Sequence, residues 1–176
     1  MELDLFNLLL QRRSIRKFKN EKPHKELIQK IINAGLLAPT SKNKKPVELV
    51  IIEDKETLLK LKGCKANGNI GFETAPYAIA VIGDGDKRDV WVEDASIAAA
   101  YIQLEAENLG LGSVWIQMRE RFSEFYSSEK EVRKVLNIPE KYGVLCIILI
   151  GYKDEVKNSY KESDIDNSKV HYDKFY

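Results

Sequence analysis

The chain has 176 residues and a mass of 20.2 kDa, with 44% hydrophobic and 31% charged residues. This size and balance are typical of one globular domain and exclude an intrinsically disordered chain. The net charge is +1, and the two cysteines and two histidines have no ligand spacing, which argues against a disulfide scaffold and a structural zinc site. No stretch of about 20 apolar residues occurs, which predicts a cytoplasmic protein without a membrane span.

Two amphipathic helices are predicted before the first strand. A short helix that ends near a group of arginines is indicated by apolar residues at helical spacing, namely Leu3, Phe6, Leu9 and Leu10. The second helix is predicted to begin at Pro23, to bury an apolar stripe over residues 27–36 and to be closed by Pro39. A polar loop over residues 40–46 follows it.

Strands and helices then alternate. A strand over residues 47–52 precedes a helix that runs through Lys62 with Asp54 as its N-cap, and a second strand covers residues 77–82. The longest helix is predicted over residues 90–109. Its apolar residues lie on more than one face, which indicates burial in the core or in a subunit interface.

The elements after the longest helix complete the predicted order. Gly110 ends that helix, and a third strand covers residues 112–116. A Ser-x-x-Glu capping box beginning at Ser128 predicts another helix, and the apolar run over residues 144–151 predicts a central strand buried on both faces. This order predicts a single α+β domain over residues 1–176, with helices on both faces of a mixed sheet.

The distribution of charge indicates an anion site. Residues 11–25 hold seven basic side chains and one acid, and with the three lysines of residues 42–45 the two segments carry +9, which leaves −8 on the rest of the chain. Arg12, Arg13 and Arg16 surround Ser14, and guanidinium groups beside a hydroxyl are suited to phosphate. A solvated basic surface is the alternative for the lysines. Nucleic acid is a rival ligand, although Phe18 is the only Phe, Tyr or Trp within residues 11–25.

No motif supplies a protein nucleophile with a matching base. Gly83-Asp84-Gly85 lacks the third glycine of a dinucleotide turn, and Glu93 and Asp94 are interpreted as complementing the dipole of the long helix. An enzyme of this sequence would therefore depend on a cofactor that brings its own chemistry.

Several segments resemble the nitroreductase family of flavoproteins. The first is Arg12-Arg13-Ser14-Ile15-Arg16-Lys17-Phe18, and the second is Ala38-Pro39-Thr40-Ser41-Lys42-Asn43 followed by Pro46. Residues 93–96, 109–116, 144–151 and 169–172 also fit the family pattern, in the same order. The resemblance implies a three-layer α/β/α nitroreductase-like fold and a homodimer with two FMN molecules at its interface, with the C-terminal tail extending onto the partner subunit. It implies ping-pong hydride transfer from NADH or NADPH through the flavin N5 to a nitroaromatic, quinone or flavin acceptor.

The resemblance also implies roles for individual residues. The FMN phosphate would be held by Arg12 and Ser14, with Arg13 close by. Arg16 would stabilise charge at the flavin N1/O2 edge. The flavin of the other subunit would be lined by Pro39, Thr40, Ser41 and Asn43. The flavin N5 and O4 would face the backbone amides of Gln117 and Met118. A second phosphate partner would be Lys157 or Lys161, and no metal is implied.

The sequence departs from the common family pattern at two places. Lys45-Pro46-Val47 replaces Gln-Pro-Trp, and Gln117-Met118-Arg119 stands where many members have glycine. The added charge of Arg119 favours an anionic or strongly polarised acceptor. Two other functions stay open: a flavin-binding redox sensor or store without rapid turnover, and a basic-surface module that binds nucleic acid.

Overall fold

A four-stranded antiparallel sheet forms the centre of the fold. In the computed structural model, which describes residues 4–175, the strands lie in the order β1-β2-β4-β3; they are β1 (Val47–Ile52), β2 (Tyr77–Asp84), β3 (Gly112–Gln117) and β4 (Tyr142–Gly151). Every neighbouring pair is antiparallel, so the predicted mixed sheet is wrong. The prediction followed the usual association of two helix layers with parallel strands, whereas the connections here return the chain in the opposite direction. An isolated parallel bridge joins Ser14 to Ser113 outside the four strands.

Helices cover both faces of the sheet. Within residues 4–175 there are five α-helices, namely α1 (Leu5–Gln11), α2 (Lys25–Leu36), α3 (Lys55–Gly63), α4 (Trp91–Asn108) and α5 (Ser128–Leu136). One core cluster joins α2 and α4 to one face, and a second joins α3 and α5 to the other. Residues 144–151 of β4 are buried throughout, as predicted for a central strand. No helix in this part of the chain combines the length and apolarity needed to cross a bilayer.

Several helix ends differ from the predictions. Leu3 lies outside the described residues. α2 begins at Lys25 and not at Pro23, because the backbone stays extended through His24, and it ends at Leu36, before Pro39. The N-cap of α5 is Ser127 and not Ser128: the Ser127 hydroxyl accepts a hydrogen bond from the Lys130 N–H at 3.3 Å, and its extended backbone is the one that a cap requires.

Other predicted ends are confirmed. The Asp54 carboxylate caps α3 by accepting the Thr57 N–H at 2.8 Å. Gly110 follows α4 with a φ of +75°, which a glycine adopts without the steric strain of a side chain.

The tail returns along the N-terminal segment of the same chain. The Asp154 N–H donates to the Lys17 carbonyl at 3.0 Å, and the Tyr160 N–H donates to the Leu10 carbonyl at 2.9 Å. Beyond Tyr160, two short 3-10 turns, Glu162–Asp164 and Asn167–Lys169, carry exposed side chains. The extension of this tail onto a partner subunit stays a prediction.

Candidate functional site

The basic segment, residues 12–16, lies along the beginning of the edge strand β3. The Ile15 N–H donates to the Ser113 carbonyl at 2.9 Å, and Ser14 forms the isolated bridge with Ser113. A Cβ at Gly112 would lie 2.8 Å from the Ile15 side chain, so the glycine permits this close approach. The contacts hold three arginines and a serine at the end of the sheet.

Only some of the arginines of the basic segment have partners within the described chain. Arg13 donates to the Asn158 carbonyl, and its guanidinium lies 4.5 Å from the centre of the Tyr160 ring. Arg12 and Arg16 form no ion pair with an acid among residues 4–175. Their charges therefore remain available to an anionic ligand.

Glu155 joins the tail to the basic segment. Its carboxylate accepts the backbone N–H groups of Arg16 and Lys17 and lies 3.5 Å from the Lys157 ammonium. Partial burial raises the pKa of Glu155, but the two N–H donors and the Lys157 charge outweigh it and hold this pKa below its usual value. Glu155 thus stays ionised and ties Lys157 to the backbone of Arg16 and Lys17, whereas Lys161 follows Tyr160, whose ring faces the Arg13 guanidinium.

The other end of β3 carries Gln117 and Met118. The Ser113 carbonyl points away from β4, and backbone groups alternate in direction along a strand, so the Gln117 N–H also faces the open edge. The Met118 N–H instead donates to the Leu145 carbonyl at 3.0 Å, and its side chain is fully buried. Of the two predicted amides, the Gln117 N–H is the one directed outward.

The loop over residues 39–45, which contains the predicted contacts to the flavin of the other subunit, lies at the beginning of α4. Asp94 is 3% exposed, and its carboxylate accepts the Ser41 N–H at 2.8 Å. The Arg88 guanidinium donates to the Ser41 hydroxyl at 2.8 Å. Neither anchor was predicted from the sequence. An acid in the first turn of a helix is already explained by the helix dipole, and no sequence pattern distinguishes Arg88.

The backbone of this loop is strained. Lys42, Asn43 and Lys45 have φ values of 51°, 52° and 48°. Side chains rarely tolerate this left-handed conformation, and such residues concentrate at functional sites. The Thr40 hydroxyl helps to hold the loop by accepting the Lys45 N–H at 3.0 Å.

The two groups of predicted flavin residues lie at opposite ends of α4. Asp94 contacts the loop, whereas the Gln103 amide donates to the Ser113 hydroxyl at 3.4 Å, beside the basic segment. Asp94 and Gln103 are separated by roughly 14 Å along the helix axis. The structure therefore brings the arginines, Ser14 and Lys157 together, but it keeps Pro39, Thr40, Ser41 and Asn43 away from them within one chain.

Comparison with known proteins identifies the family of the chain. The model of the nitroreductase family matches residues 9–68 and 63–152. The chain belongs to the nitroreductase family. The predicted resemblance is confirmed, and the protein is a nitroreductase-like NAD(P)H flavin oxidoreductase.

Individual relatives cover nearly the whole chain. An FMN-dependent nitroreductase from Clostridium difficile has a TM-score of 0.94 and 48% identity, covering 97% of this chain and 99% of its own. An Archaeoglobus fulgidus protein, named as a candidate NADH dehydrogenase/NAD(P)H nitroreductase, is 32% identical over 98% of this chain and 99% of its own length. A Desulfitobacterium hafniense nitroreductase with bound FMN shares the fold, with a TM-score of 0.77 and 24% identity over 99% of this chain and all of its own.

Proposed function

We propose that this nitroreductase-family enzyme binds FMN along the open edge of β3 and passes a hydride, in ping-pong order, from NADH or NADPH to a nitroaromatic, quinone or flavin acceptor. The observation that carries the proposal is the placement, beside Ser14 at one end of this edge, of Arg12 and Arg16, which form no ion pair with any described acid. The outward Gln117 N–H marks the other end, about 13 Å along the strand. The FMN dependence of the 48% identical nitroreductase from Clostridium difficile supports the same cofactor.

The donor set fits FMN. Guanidinium groups form paired hydrogen bonds with phosphate, and the Ser14 hydroxyl and the Lys157 ammonium add donors of the same kind. A backbone N–H at the far end suits the acceptor atoms of a flavin ring. When bound, the flavin supplies the two-electron chemistry that the side chains lack.

Each residue has a defined part in this arrangement. Arg12 and Ser14 would hold the phosphate, and Arg16 would stabilise negative charge at the N1/O2 edge. Arg13, which is bound to Asn158 and Tyr160, would mainly position the tail next to the phosphate. We favour Lys157 over Lys161 as the second phosphate partner because Glu155 ties Lys157 to the Arg16 backbone. The Gln117 N–H, and not the engaged Met118 N–H, would face N5 and O4.

A homodimer would complete the site. An apolar surface formed by α1, the end of α2 and α4 is exposed in the single chain; it comprises Leu5, Phe6, Leu9, Leu36, Leu37, Ile97 and Tyr101. A second copy would cover this surface. Its loop of Pro39, Thr40, Ser41 and Asn43 could then reach the flavin that the first copy holds by its arginines.

The test begins with the visible spectrum of the purified protein after addition of FMN, followed by NADH or NADPH under nitrogen. We expect bound flavin that bleaches rapidly with at least one donor. Slow or absent bleaching would favour the redox sensor or store. No uptake of FMN, together with nucleic-acid binding that falls steeply with salt, would favour the basic-surface module.

A substitution tests the phosphate end separately. Arg12→Ala should weaken FMN binding by about 10-fold to 100-fold, which corresponds to one charged hydrogen bond. Lys30→Ala, which removes an exposed charge from α2, serves as the control and should leave FMN affinity unchanged. Equal affinities of the two variants for FMN would contradict the assignment of Arg12.

A further inference from the structure

A cavity just beyond the end of β3 brings two cationic side chains together. It has a volume of about 400 Å³ and is lined by residues 65–67, which follow α3, and by residues 120–123, which follow β3. The Ala66 N–H donates to the Phe122 carbonyl at 3.0 Å and ties the two segments to each other. Lys65 and Arg121 therefore face one cavity from different parts of the chain.

These two charges have no counter-ion among residues 4–175. Neither Lys65 nor Arg121 forms an ion pair with any acid that the structure describes. Of the described residues that line the cavity, only Glu120 is an acid, and its carboxylate is already engaged 2.7 Å from the Arg119 guanidinium. Partial burial and the nearby charge of Arg121 both lower the pKa of Lys65. Two like charges at one cavity repel each other unless an anion binds between them.

The cavity follows the end of β3 at which the flavin ring is proposed to bind. The Arg121 N–H donates to the Met118 carbonyl at 3.1 Å, so Arg121 lies one turn beyond the end of β3. If the nicotinamide of a donor reached the flavin ring near Gln117, the rest of the dinucleotide would extend beyond the flavin. The phosphates are the strongest anions of such a dinucleotide.

We propose that Lys65 and Arg121 form an anion subsite that binds a phosphate group of the nicotinamide donor. A guanidinium and an ammonium together match the charge and the acceptor oxygens of such a group. The proposal rests on the proposed function, because it takes FMN to lie along β3. The phosphate is either the diphosphate common to NADH and NADPH or the 2′-phosphate that only NADPH carries.

Anaerobic stopped-flow reduction of the FMN-loaded protein tests the subsite. The donors are NADH, NADPH and 1-benzyl-1,4-dihydronicotinamide, which has no phosphate. We expect Lys65→Gln and Arg121→Gln each to raise the apparent Kd for a phosphate-bearing donor about tenfold, the size of a charged hydrogen bond, with little change in the limiting rate. The same variants should react with the phosphate-free donor like the wild type. Lys134→Gln, which removes an exposed charge from α5, is the matched control.

The outcomes distinguish the diphosphate from the 2′-phosphate, and they distinguish a failure of the subsite from a failure of the proposed function. A loss of affinity for both NADH and NADPH supports binding of the diphosphate, and a loss for NADPH alone supports binding of the 2′-phosphate. Unchanged affinities for every donor, or an equal loss with the phosphate-free donor, would overturn the subsite while leaving the proposed function in place. If no donor reduces the FMN of the wild type, the proposed function fails and the subsite fails with it.

Discussion

Asp94 shows how one buried carboxylate can hold a strained loop against a helix. One of its oxygens accepts the Ser41 N–H, while the other is buried without a hydrogen-bond partner within the described chain. An unsatisfied oxygen at this depth is costly. Arg88 binds the same serine through its hydroxyl, and the Nε of Arg88 is also buried without a partner. This cluster holds the turn in which Lys42, Asn43 and Lys45 have positive φ.

Removal of the Asp94 carboxylate should therefore release the loop. In Asp94→Ala the Ser41 N–H loses its acceptor, a cost of about 1–3 kcal/mol, whereas Asp94→Asn keeps an acceptor oxygen. We expect trypsin to cleave after Lys42 and Lys44 roughly tenfold faster in Asp94→Ala than in the wild type, with Asp94→Asn in between. Glu93→Ala, at the exposed neighbouring position, is the control. Equal cleavage rates in all variants would show that Asp94 does not hold the loop.

The candidate site was predictable from the sequence only where its chemistry is local. Three arginines around Ser14 indicate a phosphate site at any position in a fold. The anchors of the loop were not predictable, because Arg88 and Asp94 reach Ser41 only through tertiary contacts. The difference between the Gln117 and Met118 amides depends on the pairing of β3 with β4, which no residue pattern reveals.

At the scale of elements, the packing of α4 on the sheet depends on two strand glycines. The Trp91 ring lies against Gly83 of β2 and Gly143 of β4, and a Cβ at either glycine would overlap the ring. The two glycines therefore leave a flat slot for the Trp91 ring, and this contact positions the first turn of α4. The same turn carries Asp94, so the slot also positions the loop anchor.

Gly143→Ala should lower the free energy of unfolding by about 1–3 kcal/mol, because the added methyl group forces the indole out of its slot. Gly63→Ala is the matched control: a Cβ there meets no atom within 4 Å, and alanine is favoured over glycine in a helix. Urea denaturation of both variants measures the effect. A Trp91→Ala substitution should remove most of the penalty of Gly143→Ala, and strictly additive effects would contradict the slot.

Strand and helix positions were largely predictable because periodicity reports burial. The apolar run that ends at Gly151 does form a strand buried on both faces. Strand direction was not predictable, because burial on two faces is the same for parallel and antiparallel neighbours. The cap of α5 was misplaced by one residue because two adjacent serines have equal chemistry and only the backbone angles distinguish Ser127.

At the scale of the whole molecule, the exposed apolar surface over α1 and α4 predicts the dimer contact. Leu9 on α1 and Leu59 on α3 are both 47% exposed, but only Leu9 belongs to that surface. Leu9→Glu would place a charge in the contact twice, once from each subunit of a symmetric pair. We expect it to raise the dimer dissociation constant by at least about tenfold in sedimentation experiments, and Leu59→Glu to have no effect. Equal effects of the two substitutions would point to a different contact surface.

The separation of the basic segment from the loop by roughly 14 Å along α4 has a genetic consequence. Arg12→Ala damages the phosphate end, and Ser41→Pro damages the loop by removing the N–H that binds Asp94. In a mixed dimer of these two chains, one flavin site receives both defects and the other receives none. At an FMN concentration that saturates the wild type but not Arg12→Ala, the two impaired proteins, expressed together with different tags, should therefore yield a mixed dimer with one fully working site. A site built from a single chain would leave both sites of the mixed dimer impaired. Recovery of activity in the mixed dimer thus distinguishes a site shared between two subunits from a site built by one chain.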